Sequence, residues 1–156
     1  MANEFGFISI DTETLGLNPM IHGIVGLCLY FPGQKAVYVP MNHVDYLSGN
    51  RIEEQLTSEQ VKLALEKLTA KVIMHNAQFD IRVIKHSVGI ILKCWWDTLQ
   101  GAILLDENEL HGLKYLHETY LSGEKEKTFK EFFGNMLFAN VPIDLAYIYA
   151  THDAVI

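Results

Sequence analysis

The N-terminal part of the chain alternates compact apolar runs with turn residues, a pattern typical of β-strands. We expect strands over residues 4–11, 23–31 and 35–41. Pro32 and Gly33 suit the two central positions of a type II turn, so the second and third strands should pair as a hairpin. A long polar loop is then expected over residues 42–56.

Helical periodicity begins at Thr57, which has capping-box spacing to Gln60. The apolar stripe of this helix is predicted at Val61, Ala64, Leu65 and Leu68. A short buried strand over residues 71–76 then turns at Asn76 into a second helix.

The last third of the chain is predicted to be mainly helical. An apolar segment over residues 90–96 ends at Asp97, which can cap the next helix, and its Trp95 and Trp96 are expected in the core or in helix packing. Pro142 suits a helix start and opens the final helix. Helices are also expected over residues 98–106 and 111–121, with a mobile loop over 122–127 and a weakly helical segment over 128–138.

Strands thus come first, then alternating strands and helices, then helices alone. This order predicts an α/β fold in which a mixed sheet, antiparallel in its leading strands and parallel in the later ones, is covered by helices. The 156 residues, 49% hydrophobic and 20% charged, suit one globular domain with its own core. The apolar runs are too short to cross a bilayer and no secretory signal is evident, so we expect no membrane partner.

The formal net charge is −7, which argues against a wide basic surface for gripping nucleic acid. A nucleic-acid substrate is still compatible with this charge, because bound divalent ions would place positive charge where a scissile phosphate sits. Cys28 and Cys94 lack the spacing of a zinc site and indicate free thiols in a reducing compartment.

The candidate chemistry lies in four carboxylates: Asp11 and Glu13 at the first strand, Asp80 after the strand-to-helix turn, and Asp153 in the final helix. Residues two apart in a strand point to the same side, so Asp11 and Glu13 can face one site. Carboxylates repel one another and resist burial, so a fold that gathers them is expected to bind hard cations such as Mg²⁺ or Mn²⁺. Two such ions held together suit phosphodiester hydrolysis.

Each motif taken singly also has a simpler interpretation. Asn76 and Asp80 could be a helix cap and an exposed first-turn acid. Tyr149 and Asp153, one turn apart in the last helix, could be a core tyrosine beside a surface acid. The three motifs together, in this order, favour a single site.

The motifs Asp11-Thr12-Glu13, Asn76-x-x-x-Phe79-Asp80 and Tyr149-x-x-x-Asp153 resemble the three exonuclease motifs of the DEDD superfamily, tyrosine subclass. The histidine subclass would place a histidine at the position of Ile148. Across essentially its whole length, including "WDTLQGAILLDENELHGLKYL" and "VPIDLAYIYATHDA", the chain is similar to the proofreading 3′–5′ exonuclease domain of family A DNA polymerases, polymerase I type. The resemblance implies a ribonuclease H-like fold and metal-dependent removal of nucleoside monophosphates from DNA 3′ ends.

The resemblance also implies roles for individual residues. Asp11, Glu13 and Asp153 would hold one Mg²⁺ or Mn²⁺, and Asp11 would hold a second ion together with Asp80, the latter through water. Tyr149, with Glu13, would orient the attacking water. The implied substrate-binding residues are Thr12, Leu17, which would wedge between the last bases, Asn76 near the sugar-phosphate, and Phe129 on the unpaired strand.

The implied protein is a single 3′–5′ exonuclease domain over residues 1–156, excised from a longer phage-like or bacterial polymerase, because the chain stops soon after Asp153. Its partners would be a single-stranded or frayed DNA 3′ end and the polymerase domain of the parent chain. Its place would be the cytoplasm of a bacterial cell or of a phage-infected host. Two alternatives stay open: an exoribonuclease of the ribonuclease D type, and a non-catalytic domain that binds a 3′ end or supports a polymerase.

Overall fold

A five-stranded mixed sheet forms the centre of the protein in the computed structural model, which describes residues 6–123, 125 and 127–156. The strands, in chain order, are β1 Phe7–Thr14, β2 Ile24–Tyr30, β3 Val37–Pro40, β4 Lys71–Met74 and β5 Cys94–Asp97. Their order across the sheet is β3-β2-β1-β4-β5. β1, β2 and β3 pair antiparallel, whereas β4 runs parallel to both β1 and β5. The predicted α/β fold with a mixed sheet is confirmed.

Helices cover both faces of this sheet. They are α1 Ser58–Leu65, α2 Ala77–Val88, α3 Thr98–Leu105, α4 Leu113–His117, α5 Phe129–Phe133 and α6 Ile143–Val155. A π-helical turn over Glu118–Ser122 continues α4, and a short 3₁₀ turn over Phe138–Asn140 precedes α6. Within the described part of the chain, no helix is both long and apolar enough to span a bilayer.

Alternation along the strands divides the core into two layers. Ile8 and Ile10 of β1 face the layer that contains α1 and α2. Cys28 of β2 faces the other layer, where Ala146 and Ala150 of α6 are fully buried. Small side chains one helical turn apart let α6 lie close to the sheet, and this close approach brings the last predicted motif to the first strand.

The hairpin and the first helix form as their sequences predict. The Phe31 carbonyl accepts a hydrogen bond from the Gln34 amide at 2.9 Å, and Gly33 has a φ of +78°, as the third residue of a type II turn requires. The capping box at Thr57 is present, with Gln60 as its partner. The 42–56 segment contains no helix or strand beyond an isolated bridge, and the loop expected over 122–127 includes residues 124 and 126, which lie outside the described residues.

Three expectations of the local structure are wrong. The first strand does not end at Asp11 but continues to Thr14, because Glu13 still pairs with Gly26 of β2. The side chain of Ala64 is exposed, so the buried stripe of α1 consists of Val61 and Leu65.

The third wrong expectation is the placement of Trp95 and Trp96 in the core, since they are 51% and 48% exposed. β5 is an edge strand, so its side chains have less protein to pack against. Trp95 lies beside the Phe7 ring, with the Lys71 ammonium 4.7 Å from its centroid. Trp96 does take part in helix packing, because its ring lies close against Gly101 of α3.

Candidate active site

The two carboxylates of β1 lie on the sheet face that α6 covers. Asp11 and Glu13 are two residues apart in β1, so their side chains lie on the same face of the sheet. Cys28 of β2 lies directly opposite Asp11 in the antiparallel pairing. One ligand atom from each of these three residues lies within 4.8 Å of the others. Both carboxylates are predicted from the sequence, whereas Cys28 is not, because its position depends on the register between β1 and β2.

The final helix brings Tyr149 and Asp153 to the same place. Their spacing of four residues puts both side chains on one face of α6, which packs against β1, β2 and β3. Both residues line a cavity of about 380 Å³ together with Asp11 and Glu13. Two motifs separated by most of the chain therefore meet in one cavity.

Asp80 approaches the site from the first turn of α2. Its side chain is only 3% exposed, and its Oδ1 accepts a hydrogen bond from the Thr12 hydroxyl at 2.5 Å. The negative charge of Asp80 contributes to the raised pKa of Asp11, so the two carboxylates interact. Thr12 is buried, and its side chain holds a carboxylate in place.

The turn before α2 is held by a residue from a neighbouring strand. Asn76 has a left-handed φ of +65° and makes no side-chain cap for α2. The carboxylate of Asp97, at the end of β5, accepts hydrogen bonds from the backbone amides of Asn76 and Ala77, both at 2.9 Å. The side chain of Asn76 is exposed at the turn. Asp97 therefore caps α3 and also holds the turn before α2.

Burial and mutual repulsion favour the neutral forms of these carboxyl groups. The pKa of Asp11 is raised well above its usual value, first by burial and then by the charges of Asp80, Glu13 and Asp153. Burial, followed by the charge of Asp153, raises the pKa of Glu13 to about 8. Burial also raises the pKa of Asp80 to about 7, although the Thr12 hydrogen bond opposes this.

The raised pKa values indicate that a nearby positive charge would stabilise the ionised carboxylates. The donors are carboxylate oxygens, which suit Mg²⁺ and Mn²⁺, and the free energy stored in their repulsion is released when a divalent cation binds. The residues present therefore fit the hard-cation site that the sequence analysis expects.

Tyr149 is held in the cavity wall by other aromatic rings. The Phe129, Phe132 and Phe133 rings meet it nearly edge-on, with centroid distances of 5.6 to 5.8 Å. Burial, and then the charges of Asp153 and Glu13, raise the pKa of its hydroxyl, which keeps its proton at neutral pH. Phe129, expected to contact the unpaired strand, is partly buried against Phe133 and Phe138 while also lining the cavity.

The remaining sequence-predicted residue is at the mouth of the cavity. Leu17 lies in the loop after β1, is 92% exposed and lines the same cavity as the carboxylates. A large apolar side chain with this exposure has no packing role within the described residues, and it is free to contact a ligand.

One functional candidate was missed entirely. The Lys114 ammonium, on α4, donates a hydrogen bond to the Tyr149 hydroxyl at 3.3 Å and lies 3.9 Å from Oδ1 of Asp153. Its sequence context, an amphipathic helix, gave no signal that this lysine faces the carboxylates, because the packing of α4 near α6 is a tertiary feature.

Comparison with known proteins places this geometry in a family. The whole chain, residues 1–156, matches the family model of the 3′–5′ exonuclease domain of family A DNA polymerases. The chain belongs to this family. The exonuclease domain is 28% identical over 150 residues to DNA polymerase I of Borreliella burgdorferi, covering 95% of the domain and 16% of that polymerase. It is 30% identical over 163 residues to DNA polymerase I of Pseudomonas aeruginosa, covering 97% of the domain and 17% of that polymerase.

Solved structures share the fold of the exonuclease domain. Brucella melitensis NrnC with bound Mg²⁺ superimposes with a TM-score of 0.69 at 21% identity, covering 97% of the domain and 68% of that chain. Escherichia coli RNase D, an exoribonuclease, gives a TM-score of 0.67 at 16% identity, covering 98% of the domain and 37% of that chain. The ribonuclease H-like fold implied by the sequence is confirmed, and so is the exonuclease family. The exonuclease domain spans less than a fifth of the length of these curated polymerase relatives.

Proposed function

We propose that the exonuclease domain removes nucleoside monophosphates from DNA 3′ ends as the proofreading part of a DNA polymerase. The observation that carries this proposal is the convergence of Asp11, Glu13, Asp153 and Tyr149 on one cavity, from two elements at opposite ends of the chain. This is the pattern of groups that phosphodiester hydrolysis requires: oxygen ligands for divalent ions beside a hydroxyl that can orient water.

The proposed cofactors are two Mg²⁺ or Mn²⁺ ions. Asp11, Glu13 and Asp153 would hold one ion, and Asp11 would hold the second together with Asp80, the latter through water. When bound, the ions would lower the pKa of the attacking water and neutralise negative charge at the leaving 3′ oxygen. The raised pKa values of Asp11, Glu13 and Asp80 support this assignment, because each carboxyl gains most from a nearby cation.

The other residues would bind and orient the reacting groups. Tyr149 keeps its proton, so its role is to fix the attacking water by hydrogen bonding, with Glu13 as the second contact. Leu17, exposed at the cavity mouth, would wedge between the last bases. Asn76 would lie near the sugar-phosphate, and Phe129 would form part of the wall against the unpaired strand. Thr12, which lines the cavity, would contact the substrate, and its hydroxyl also holds Asp80.

The proposed context is a longer chain in a bacterial cell or a phage-infected host, in the cytoplasm. Residues 1–156 would form one exonuclease domain, with the polymerase domain of the same chain as its partner. This is supported by the polymerase I relatives, of which the domain spans only a small part. The DNA partner would be a single-stranded or frayed 3′ end.

A ribonuclease D-type activity is the second candidate, since the fold also matches that of an exoribonuclease. DNA and RNA oligonucleotides of one sequence, labelled at the 5′ end, separate the two candidates when cleavage is followed with Mg²⁺ and Mn²⁺. We expect stepwise shortening of the DNA from its 3′ end and slower shortening of the RNA. Faster cleavage of RNA would move the assignment to an exoribonuclease, and binding without cleavage of either would favour a non-catalytic domain.

Two variants test the site in the same assay. Asp11→Ala and Asp153→Ala should nearly abolish cleavage, because each removes a carboxylate that no neighbour replaces. Asp144→Ala is the matched control, since it removes an exposed acid from the first turn of the helix that carries Asp153. Circular dichroism establishes that each variant is folded. Wild-type rates in either active-site variant would contradict the proposed metal site.

A further inference from the structure

Lys114 packs beside Tyr149 and Asp153, two residues of the candidate active site, rather than extending into solvent. Its side chain is 27% exposed, and its ammonium donates to the Lys127 carbonyl at 3.1 Å as well as to the Tyr149 hydroxyl at 3.3 Å. The same ammonium lies 4.8 Å from the centroid of the Tyr149 ring and 3.9 Å from Oδ1 of Asp153. It therefore contacts both functional residues of α6.

The direction of the hydrogen bond to Tyr149 follows from the chemistry of the two groups. An ammonium has three donors and no acceptor, whereas a phenol hydroxyl has one donor and can also accept. Lys114 must donate, so the oxygen of Tyr149 accepts and its hydrogen must point elsewhere. Tyr149 lines the cavity together with Asp11, Glu13 and Asp153, so a group bound there is a candidate acceptor for this hydrogen.

The charge of Lys114 also acts on the carboxylates. Its positive charge opposes the rise in the pKa of Glu13, which burial and Asp153 produce. Lys114 thus places a positive charge beside Asp153, which lines the cavity together with Asp11 and Glu13.

We propose that Lys114 is a positioning residue of the exonuclease site, which sets Tyr149 as a hydrogen-bond donor toward the reacting groups. This inference rests on the proposed role of Tyr149. Lys114 acts through the hydroxyl, so removing the ammonium leaves the phenol free to rotate and to donate to a carboxylate instead of to the attacking water or the phosphate.

A double-mutant cycle tests this coupling. Lys114→Met keeps an unbranched stem of similar length and removes the charge and the donors, and Tyr149→Phe removes only the hydroxyl. With Mn²⁺ saturating and cleavage limited by chemistry, Lys114→Met should slow the wild-type background by about 10-fold, the value of one charge-assisted hydrogen bond. In the Tyr149→Phe background the same change should slow cleavage by no more than about 2-fold, because a group that acts through the hydroxyl has nothing left to act on. Equal losses in the two backgrounds would overturn the proposal.

Three further variants and measurements separate positioning from structural support. Lys114→Arg, which keeps the charge and donors, should recover part of the lost rate, and Lys85→Met on α2 controls for loss of a distant surface lysine. Manganese affinity, measured by electron paramagnetic resonance, should be equal or higher in Lys114→Met, since a neighbouring positive charge is gone. Weaker manganese binding would show that Lys114 merely supports the geometry of the carboxylates, and would also overturn the proposal.

The contact itself can be tested without cleavage. In chelator, the melting temperatures of the wild type, the two single variants and the double variant form a second cycle. The contact predicts non-additive losses: removing either partner lowers the melting temperature, and removing the second adds little. Additive losses of melting temperature would refute the contact, whether or not the protein cleaves DNA. Non-additive losses in a wild type without nuclease activity would refute the proposed function alone.

Discussion

The carboxylate of Asp97 holds the starts of two helices, and its removal is expected to weaken both the fold and the active site. Oδ1 accepts hydrogen bonds from the backbone amides of Asn76 at 2.9 Å and Leu99 at 3.0 Å, and Oδ2 accepts one from Ala77 at 2.9 Å. Asn76 and Ala77 follow β4 at the start of α2, the helix that carries Asp80. Leu99 lies in the first turn of α3. We predict the consequences of Asp97→Ala.

The expected loss of stability follows from these three bonds. Losing the cap of α3 costs about 1 kcal/mol. The two bonds to the turn before α2 are charge-assisted and would each contribute about 1.5–3 kcal/mol if the amides stayed buried and unsatisfied. The Asn76 amide is exposed and can bind water instead, so we place the total at about 2–4 kcal/mol, a large part of the roughly 5–15 kcal/mol that stabilises a domain.

Urea denaturation of the wild type, Asp97→Ala and Asp97→Asn provides the measurement. Asparagine can keep the Oδ1 bonds but presents an amide nitrogen to the Ala77 N–H, so its expected loss is smaller, about 1 kcal/mol. Cleavage at a temperature where every protein is folded should also fall, by about 10-fold in Asp97→Ala, because Asp80 is displaced with the first turn of α2. A loss below about 0.5 kcal/mol, or full activity in a destabilised variant, would refute the reasoning.

Three further results are expected. In chelator, the melting temperature should fall as the pH rises from about 5 to about 8, because the pKa of Glu13 is raised from its usual 4.5 to about 8 and the folded state alone keeps this proton in that range; saturating Mn²⁺ should remove this decline, and a rising melting temperature in chelator would contradict it. Gly26→Ala should cost about 2–4 kcal/mol in urea denaturation, because its Cβ would collide with the Tyr38 hydroxyl and disturb the hydrogen bond of that group to the buried His43, whereas Gly23→Ala, whose Cβ meets no atom within 4 Å, is the control. Leu17→Ala should raise KM for single-stranded DNA up to about 10-fold with an unchanged melting temperature, and the equally exposed Leu47→Ala should leave KM unchanged; equal KM values for the two variants would refute the wedge role.

The elements that carry the candidate active site follow from local patterns in the sequence. The hairpin of β2 and β3 is specified by two apolar runs around Pro32-Gly33, and α1 by the capping box at Thr57. The spacing of Asp11 and Glu13 along a strand puts both on one face, and the spacing of Tyr149 and Asp153 does the same on a helix. Turn type, helix capping and the side on which a side chain lies depend on neighbouring residues in the sequence, so they can be predicted without knowing the fold.

What the sequence could not provide depends on how segments meet. The exposure of Trp95 and Trp96 follows from the position of β5 at the sheet edge, and no local pattern distinguishes an edge strand from a central one here. The hydrogen bond from Thr12 to Asp80 depends on α2 packing against β1. Lys114 reaches Tyr149 only because α4 lies beside α6, and an amphipathic pattern does not say which neighbour a helix will have.

The division of the site between β1 and α6 also has a consequence for biosynthesis. Within this domain β1 leaves the ribosome before α6, so Asp11 and Glu13 are made before Tyr149 and Asp153. Until α6 packs on the sheet, the early carboxylates remain in water, with neither the burial nor the neighbours that raise their affinity for cations. The full set of carboxylates for the proposed cation site therefore comes together only after α6 has docked on the sheet.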